Sequence, residues 1–525
     1  MFSFLKTLFN KKQSNTEDMN VQSDELKKFR LSGNIRDNID RLTNIMNNSG
    51  DIKTREFNIT GSTMKAAIIY ISSLANEDMI QEHILKPLIM ESATMFNKTQ
   101  VSFHEIKNSM MSVSSIKEAE TFDEIVLDVM SGDTLIIIQG FTRGLIISTK
   151  DYQGRPIGEP AIEPSIKGPQ EAFVEILEVN IGLIRRRLRD PNLCFEMSKI
   201  GRRSKADYSI VYIKGIAKDD LVRDIKKRFT ELNLDGQASV SQMGTMIVDH
   251  PKSIFPQIQA TERPDKTVSA LSEGRVAVMM DGSPDVILLP ATFPILMQSS
   301  DDYFENWLIA SVIRISRYVA FFISATFPAI YIALTSFHPG MLPTELILSI
   351  ARTRTGVPFP AMIEALIMET VLELLQEAGV RLPRVVGQTV SIVGGLVIGQ
   401  AAVAAGVVSP IMVIVVSITA ISSYAIPDYS LGLATRIVRV PYMILATVFG
   451  SFGIAIGMLM SLIYVASLKS FGVNYLKPIS TDSMNDWKDS IIRAPLLSMF
   501  KRPEMLDPQD PVRMTPKHRR DSDEH

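Results

Sequence analysis

The sequence predicts an α/β or α+β domain of two small sheets in front, followed by an all-α, polytopic transmembrane domain, and two contrasts along the chain predict it. Charged residues run throughout positions 1–317, whereas Val385 to Pro427 holds none in 43 consecutive positions. A helix crossing a hydrocarbon core of about 30 Å needs about 20 apolar residues, so that run is long enough for two crossings. Ahead of it, β-rich apolar runs such as Ala66 to Ile71 and Thr134 to Ile138 alternate with helical patterns around Asp78 to Ser92 and Phe122 to Val129. That alternation is the signature of an α/β or α+β domain.

A chain of 525 residues is too long for one ordinary domain. The expected division is a disordered leader over 1–50 that runs into a short helix, a cytosolic subdomain over 51–155, a second over 156–300, a transmembrane domain over 301–480 and a mostly disordered cytosolic tail over 481–525. A formal net charge of −2 gives no field strong enough to hold nucleic acid, and no aromatic and basic interleaving appears. The single cysteine, Cys194, excludes an intramolecular disulfide and suits a domain kept in the reducing cytosol. Its ordinary role is a buried small hydrophobe. Met1 to Lys12, interrupted by Lys6 and closed by Lys11 and Lys12, is too short and broken for a signal peptide.

Within the front domain, Gln139-Gly140 between Leu135–Ile138 and Gly144–Ser148 reads as a hairpin. Gly154 to Pro169 is proline-rich and reads as an extended connector. Gln170 to Arg189 has helical spacing and ends on Arg185, Arg186, Arg187 and Arg189, a run whose usual place is a solvated face. Ser209 to Ile213 reads as a strand and Lys218 to Leu232 as an amphipathic helix. Arg275 to Met280 and Val286 to Leu289, joined through Asp281-Gly282-Ser283-Pro284, read as a second hairpin.

The membrane domain is expected to cross four times, over about 318–336, 385–407, 410–427 and 440–468. Arg314 and Arg317 ahead of the first span, and the basic residues Lys469, Lys477, Lys488, Arg493, Lys501 and Arg502 after the last, place both termini in the cytosol by the positive-inside tendency. Arg381 and Arg384 then fall outside. A fifth crossing between Glu345 and Ala378 brings them in, at the expense of burying Arg352, Arg354, Glu364, Glu369, Glu373 and Glu377. The stretch 359–379 is an amphipathic helix on which Glu369, Glu373 and Glu377, four apart, share a face. They form either a solvated acidic edge or, with several copies in a ring, a cation-concentrating vestibule.

Val385 to Val408 is loaded with small residues, and Gly395 and Gly399 make a GxxxG pair suited to close helix packing. Gln388, Ile392, Leu396 and Gln400, each four apart, form one stripe with amides at its ends and aliphatic side chains between. A stripe of that kind suits the wall of a water-filled path, with Leu396 or Ile392 as a constriction that gates by dewetting. The alternative is that both glutamines bond across to other helices.

Six stretches carry a family resemblance: Phe255 to Lys266 (FPQIQATERPDK), Ser336 to Pro343 (SFHPGMLP), Val357 to Leu366 (VPFPAMIEAL), Glu377 to Pro383 (EAGVRLP), Val397 to Val403 (VIGQAAV) and Ser470 to Tyr475 (SFGVNY). Lys167 to Glu175 is similar too, with Gln170 where a basic residue is expected. Over roughly residues 60 to 495 the chain resembles the A subunit of bacterial spore nutrient-germinant receptors. The resemblance implies a multi-pass subunit of the spore inner membrane with a cytosolic N-terminal domain. Its implied partners are a transporter-like B subunit that holds the nutrient and a lipoprotein C subunit. It further implies a homo-oligomeric ring in the lipid that releases ions when nutrient binds.

A stand-alone secondary transporter predicts repeated hydrophobic halves, and none is apparent. An amplifying paralogue without its own nutrient-sensing partner is the nearer alternative. An enzyme is not expected: the histidines are scattered, with no metal-ligand spacing, P-loop or nucleophile elbow, so no cofactor, metal or catalytic residue is assigned. Glu262, Arg263, Asp265 and Lys266 make the densest charged cluster in a proline-bounded loop, and are expected to couple the front domain to the membrane part through ion pairs.

Overall fold

The computed structural model describes residues 29–91, 102–109, 116–150, 160, 163–236, 239–382, 394–479 and 484–514. It divides into two compact units. One takes in residues up to Val248 with Ala260–Pro290 and Met499 onward, and the other Asp249–Gln259 with Ala291–Ser498.

The first unit is built on two five-stranded antiparallel sheets. One joins β1 (Ile52–Asn58), β2 (Lys65–Ile71), β3 (Ile116–Ala119), β4 (Thr134–Ile138) and β5 (Gly144–Ile147) in the order β1-β2-β4-β5-β3. The other joins β6 (Leu193–Ile200), β7 (Ala206–Ile213), β8 (Gln259–Thr261), β9 (Val276–Met280) and β10 (Val286–Leu289) in the order β6-β7-β9-β10-β8. Helices α1 (Ile35–Ile45) and α2 (Phe122–Met130) pack on the first sheet through Ile35, Leu42, Phe122 and Ile125. Helices α3 (Leu177–Arg187), α4 (Asp219–Glu231), α5 (Val240–Ile247) and α6 (Pro264–Ser272) accompany the second. The central strands β4 and β9 are buried along their whole length, so they read as unbroken apolar runs rather than alternating ones.

The two sheets are one design used twice. Their strand orders are the same, and equivalent elements lie 142 residues apart: Ile35 with Leu177, Phe122 with Pro264, Thr134 with Val276, Gly144 with Val286. Local chemistry repeats at the same shift. Asn38 Nδ2 donates to the Ser32 carbonyl at 2.7 Å and its Oδ1 accepts from the Ser32 N–H at 2.9 Å. Asn180 makes the same two bonds to Val174, at 2.6 and 2.8 Å. Each asparagine is fully buried, and the paired bonds offset its desolvation. Gly132 and Gly274 both sit at positive φ, +96° and +97°. A Cβ on the first would lie 3.0 Å from the Leu74 carbonyl oxygen, and on the second 3.3 Å from that of Ile216, again 142 residues on.

Three expectations are corrected in this unit. The leader is not disordered up to residue 50, because Leu31, Ile35, Leu42 and Met46 are core residues of the first repeat. The arginine run is a solvated face only at Arg189, which is exposed. Arg185 is wholly buried against Asp51, while Arg186 and Arg187 pair with Glu171. The tail is not mostly disordered, because its residues around 502–510 are built into the fold: Arg502 donates to the Ser272 carbonyl at 2.8 Å and to Asp510 at 2.6 Å, and the Gln509 N–H donates to the Ile216 carbonyl at 3.0 Å.

The second unit is helical: α7 (Trp307–Ser336), α8 (Thr344–Arg354), α9 (Ala361–Arg381), α10 (Pro410–Tyr424) and α11 (Tyr429–Ser467). Among the described residues α7 and α11 are long and apolar enough to cross a membrane, and α10 is a shorter apolar helix. Helix α7 begins at Trp307, ahead of the apolar stretch, and Arg314 in its first turns is folded in. It donates to Asp302 at 3.2 Å and Asp489 at 2.8 Å.

Helix α11 is not one rod. Gly450, at φ +63° and ψ −142°, breaks it, and the two limbs fold back on each other. Tyr442 Oη donates to Ser461 Oγ at 3.1 Å, whereas 19 residues of straight helix would separate them by about 28 Å. The close approach requires glycine at 453 and 457, whose Cβ atoms would fall on the Leu445 carbonyl and the Tyr442 ring.

Candidate functional site

The contacts of the second unit gather at two distinct ends. At one end Tyr318 and Phe321 of α7, Ile426 beyond α10, and Leu431 and Leu468 at the two ends of α11 pack in one apolar cluster with Phe293 and Tyr475. At the other end the turn at Gly450 meets Phe337 and His338, just past α7, and Ser451 Oγ lies 2.8 Å from His338 Nε2. Helices α9 and α10 both start towards the Gly450 end. Ser409, which caps α10, donates its N–H to Glu364 in the first turn of α9 at 2.9 Å. They finish towards the other end, where Arg436 in the first limb of α11 meets Glu373 at 3.3 Å and the Tyr424 ring at 5.7 Å.

The acidic stripe of α9 is paired within the chain. Glu364, fully buried, meets Arg354 at 2.9 Å. Glu369 accepts from Arg439, Glu373 from Arg436, and Glu377 from Arg381 on its own helix. The carboxylates therefore run down α9 as a ladder of ion pairs to α8 and α11. That is how a helix with so many charges is accommodated among apolar neighbours, since a paired and hydrogen-bonded charge avoids the full cost of desolvation.

Arg439 is the most connected of these groups. Besides Glu369 it donates from Nε to the Ser324 carbonyl at 2.7 Å and from Nη2 to Ser324 Oγ at 3.2 Å. That carbonyl is free because the helical donor four residues on is Pro328, which has no N–H. Sequence reading missed Arg354, Arg436, Arg439 and Ser324. The visible signal was a proline inside an apolar helix, four residues after a serine, together with two arginines at the edge of an uncharged run.

The expected pore stripe is described only in part. Gln388 and Ile392 lie outside the described residues. Leu396 belongs to a short π-helical turn, Gly394–Ile398, that leads into Gly399–Ala404. Gln400, Val397 and Ile398 are exposed. Of the GxxxG pair, Gly399 packs on α10, where a Cβ would lie 3.7 Å from Val413, while a Cβ on Gly395 would meet no atom within 4 Å among the described residues.

The loop of Glu262, Arg263, Asp265 and Lys266 lies in the first unit. Arg263 is buried and donates to Asp265 at 2.9 Å and to the carbonyls of Glu163 and Pro169 at 3.3 and 3.2 Å. Lys266 pairs with Glu163 at 2.5 Å, and the Glu262 carbonyl accepts from the Phe173 N–H at 2.7 Å. Together they fasten the proline-rich connector to the start of α6. No three His, Cys, Asp or Glu side chains gather as a metal site among the described residues.

A sequence profile described as Bacillus/Clostridium GerA spore germination protein matches residues 40–505. The chain is 38% identical over 517 residues to spore germination protein KA of Bacillus subtilis (strain 168), covering 96% of this chain and 94% of that one. It is 39% identical over 473 residues to the uncharacterized membrane protein YfkQ of the same organism, covering 90% and 91%. A crystal structure of the N-terminal domain of the A subunit of the Bacillus megaterium spore germinant receptor GerK3 shares 30% identity, with a TM-score of 0.40, over 50% of this chain and 98% of that one. The profile takes in both sheets and all the helices from α7 to α11, and the relatives align over nearly their whole length: the chain belongs to the GerA family of spore germination proteins.

Proposed function

We propose that the chain is the membrane subunit of a spore nutrient-germinant receptor and that several copies form a ring enclosing an ion path, which opens when a partner subunit binds nutrient. The observation that carries this is in the helical unit. Its buried charges are cancelled inside the bundle, while Gly395, Val397, Ile398 and Gln400 of the segment before α10 are exposed among the described residues. A surface of that composition suits close contact between copies and a partly polar lumen. The stripe of Gln388, Ile392, Leu396 and Gln400 faces that lumen, with Leu396 or Ile392 as its constriction. The transporter-like B subunit, which holds the nutrient, and the lipoprotein C subunit complete the receptor in the spore inner membrane. The matching profile and spore germination protein KA are described by germination and not by an enzymatic activity, in keeping with a signalling role.

The course of the helices supports six crossings rather than four. Helices α7, α9, α10 and the two limbs of α11 each run between the two ends of the unit, and because α9 finishes at one end and α10 starts at the other, the chain between them supplies a sixth passage. Six crossings put Arg381 and Arg384 on the same side as Arg314, Arg317 and the chain termini, which satisfies the positive-inside tendency that four crossings violate. The charges of α9 no longer argue against it, because each has a partner. Spores carrying Leu396→Ala are the test: release of ions with little or no nutrient is expected, and an unchanged nutrient requirement with normal protein levels contradicts the gate.

A further inference from the structure

The geometry points to Arg439 as a lock: one buried guanidinium that ties α7, α9 and the first limb of α11 together in this arrangement, and whose release frees α9 to move. Three features support it. Arg439 spans two acceptors of different kinds, the Glu369 carboxylate on α9 and the Ser324 carbonyl on α7. The planar fork of arginine meets both through separate nitrogens held in a fixed spread, which the single nitrogen of lysine does not offer. The α7 acceptor exists only because Pro328 leaves that carbonyl without a helical donor. An orphan carbonyl among apolar helices is costly, so α7 as well as α9 has a reason to hold the arginine. The neighbouring pairs, Arg436 with Glu373 and Arg354 with Glu364, lie on either side along α9, so letting go at Arg439 loosens the middle of a ladder.

A buried ion pair with defined partners is a discrete state rather than a continuum, and this is what a two-position element needs. In the locked position Glu369 is held by Arg439, between Glu373 paired with Arg436 and Glu364 paired with Arg354; once unlocked, it is the one carboxylate of these three left without its arginine and open to a cation. The assignment of Arg439 as the lock rests on contacts within the chain. The consequence that unlocking opens an ion path rests on the function proposed above, and the two are separable by experiment.

The full-length protein in lipid nanodiscs is compared with Arg439→Gln, Arg439→Lys and Glu369→Gln by amide hydrogen exchange, and the same proteins with partner subunits by ion flux in liposomes. Exchange in α9 and around Ser324 is expected to rise about tenfold or more in Arg439→Gln and less in Arg439→Lys. Pro328→Ala, which returns a helical donor to Ser324, is expected to shrink the effect of Arg439→Gln on α7, an interplay that mere loss of packing would not produce. Should Arg439→Gln fail to fold, Glu369→Gln alone still decides, with faster exchange expected in α9. Unchanged exchange in the glutamine variants overturns the lock. Faster exchange with no flux from any variant upholds the lock and rejects the ion path.

Discussion

Arg185 Nε donates to Asp51 Oδ2 at 2.8 Å with both side chains shut away from solvent, and this pair fastens the second repeat of the N-terminal unit to the first. Ser49 joins them: its Oγ donates to Asp51 at 2.6 Å and accepts from Arg185 at 3.1 Å and from the Phe195 N–H at 3.0 Å. Arg185 also lies over the Phe195 ring, 4.8 Å from its centre. Removing one member of a buried ion pair leaves the other charge uncompensated, which costs about 3–5 kcal/mol. Asp51→Ala is therefore expected to lower the denaturant midpoint of the unit sharply, while Asp51→Ala combined with Arg185→Met recovers part of the loss.

The two repeats supply a matched pair of glycine tests. Gly132 and Gly274 hold positive φ beside the carbonyls of Leu74 and Ile216. An L side chain there costs about 1–2 kcal/mol in backbone strain alone. Gly132→Ala and Gly274→Ala are each expected to destabilise the protein by at least that amount in urea unfolding, with the closer carbonyl making Gly132→Ala the worse.

Cys194 gives a probe of unfolding that needs no engineering. Burial pushes its thiol pKa up, so the neutral thiol is favoured in the fold and the reactive thiolate is depleted at pH 7–8. Maleimide labelling of the native protein at pH 8 is expected to be negligible and to appear only with denaturant, tracking global unfolding. Rapid labelling in native buffer would mean that β6 opens locally.

Gly450 is the point on which the hairpin of α11 turns. Its conformation is one that L residues avoid, and a Cβ would lie 3.0 Å from Phe337. Gly450→Val is expected to destabilise the helical unit by several kcal/mol, since strain and overpacking add. The loss is read as a fall in the monodisperse fraction of detergent-solubilised protein.

Arg263→Ala, by the same reasoning as Asp51→Ala, strands Asp265 and two connector carbonyls. Loss of about 3–5 kcal/mol is expected, with protease cutting first in the proline-rich stretch before residue 170. Intact stability with germination lost would instead assign the loop to coupling.

Much of the fold was legible because apolar runs and turn residues are local signals. Thr134 to Ile138 and Val276 to Met280 announced buried strands, and Asp281-Gly282 a hairpin between β9 and β10. The repeat was legible too and was missed: Ile68-Ile-Tyr-Ile71 and Leu74-Ala75 recur as Ile210-Val-Tyr-Ile213 and Ile216-Ala217 at a shift of 142. Long-range pairing hid the rest. Nothing local tells that Arg185 turns inward to an aspartate 134 residues away, or that Arg439 answers a carbonyl freed by Pro328. An uncharged run of 29 residues, Val440 to Leu468, gives no sign of reversing at Gly450, because a glycine in an apolar helix is ordinary until its φ is known.

The ion path is tested most directly by flux. Purified protein, reconstituted with its partner subunits in liposomes loaded with a potassium-sensitive dye, is compared as wild type and Leu396→Ala. Nutrient-dependent flux in the wild type and raised, nutrient-independent flux in the variant are the predicted results. No flux from either, with the subunits correctly assembled, contradicts an ion path through this chain and leaves it a coupling or scaffold subunit.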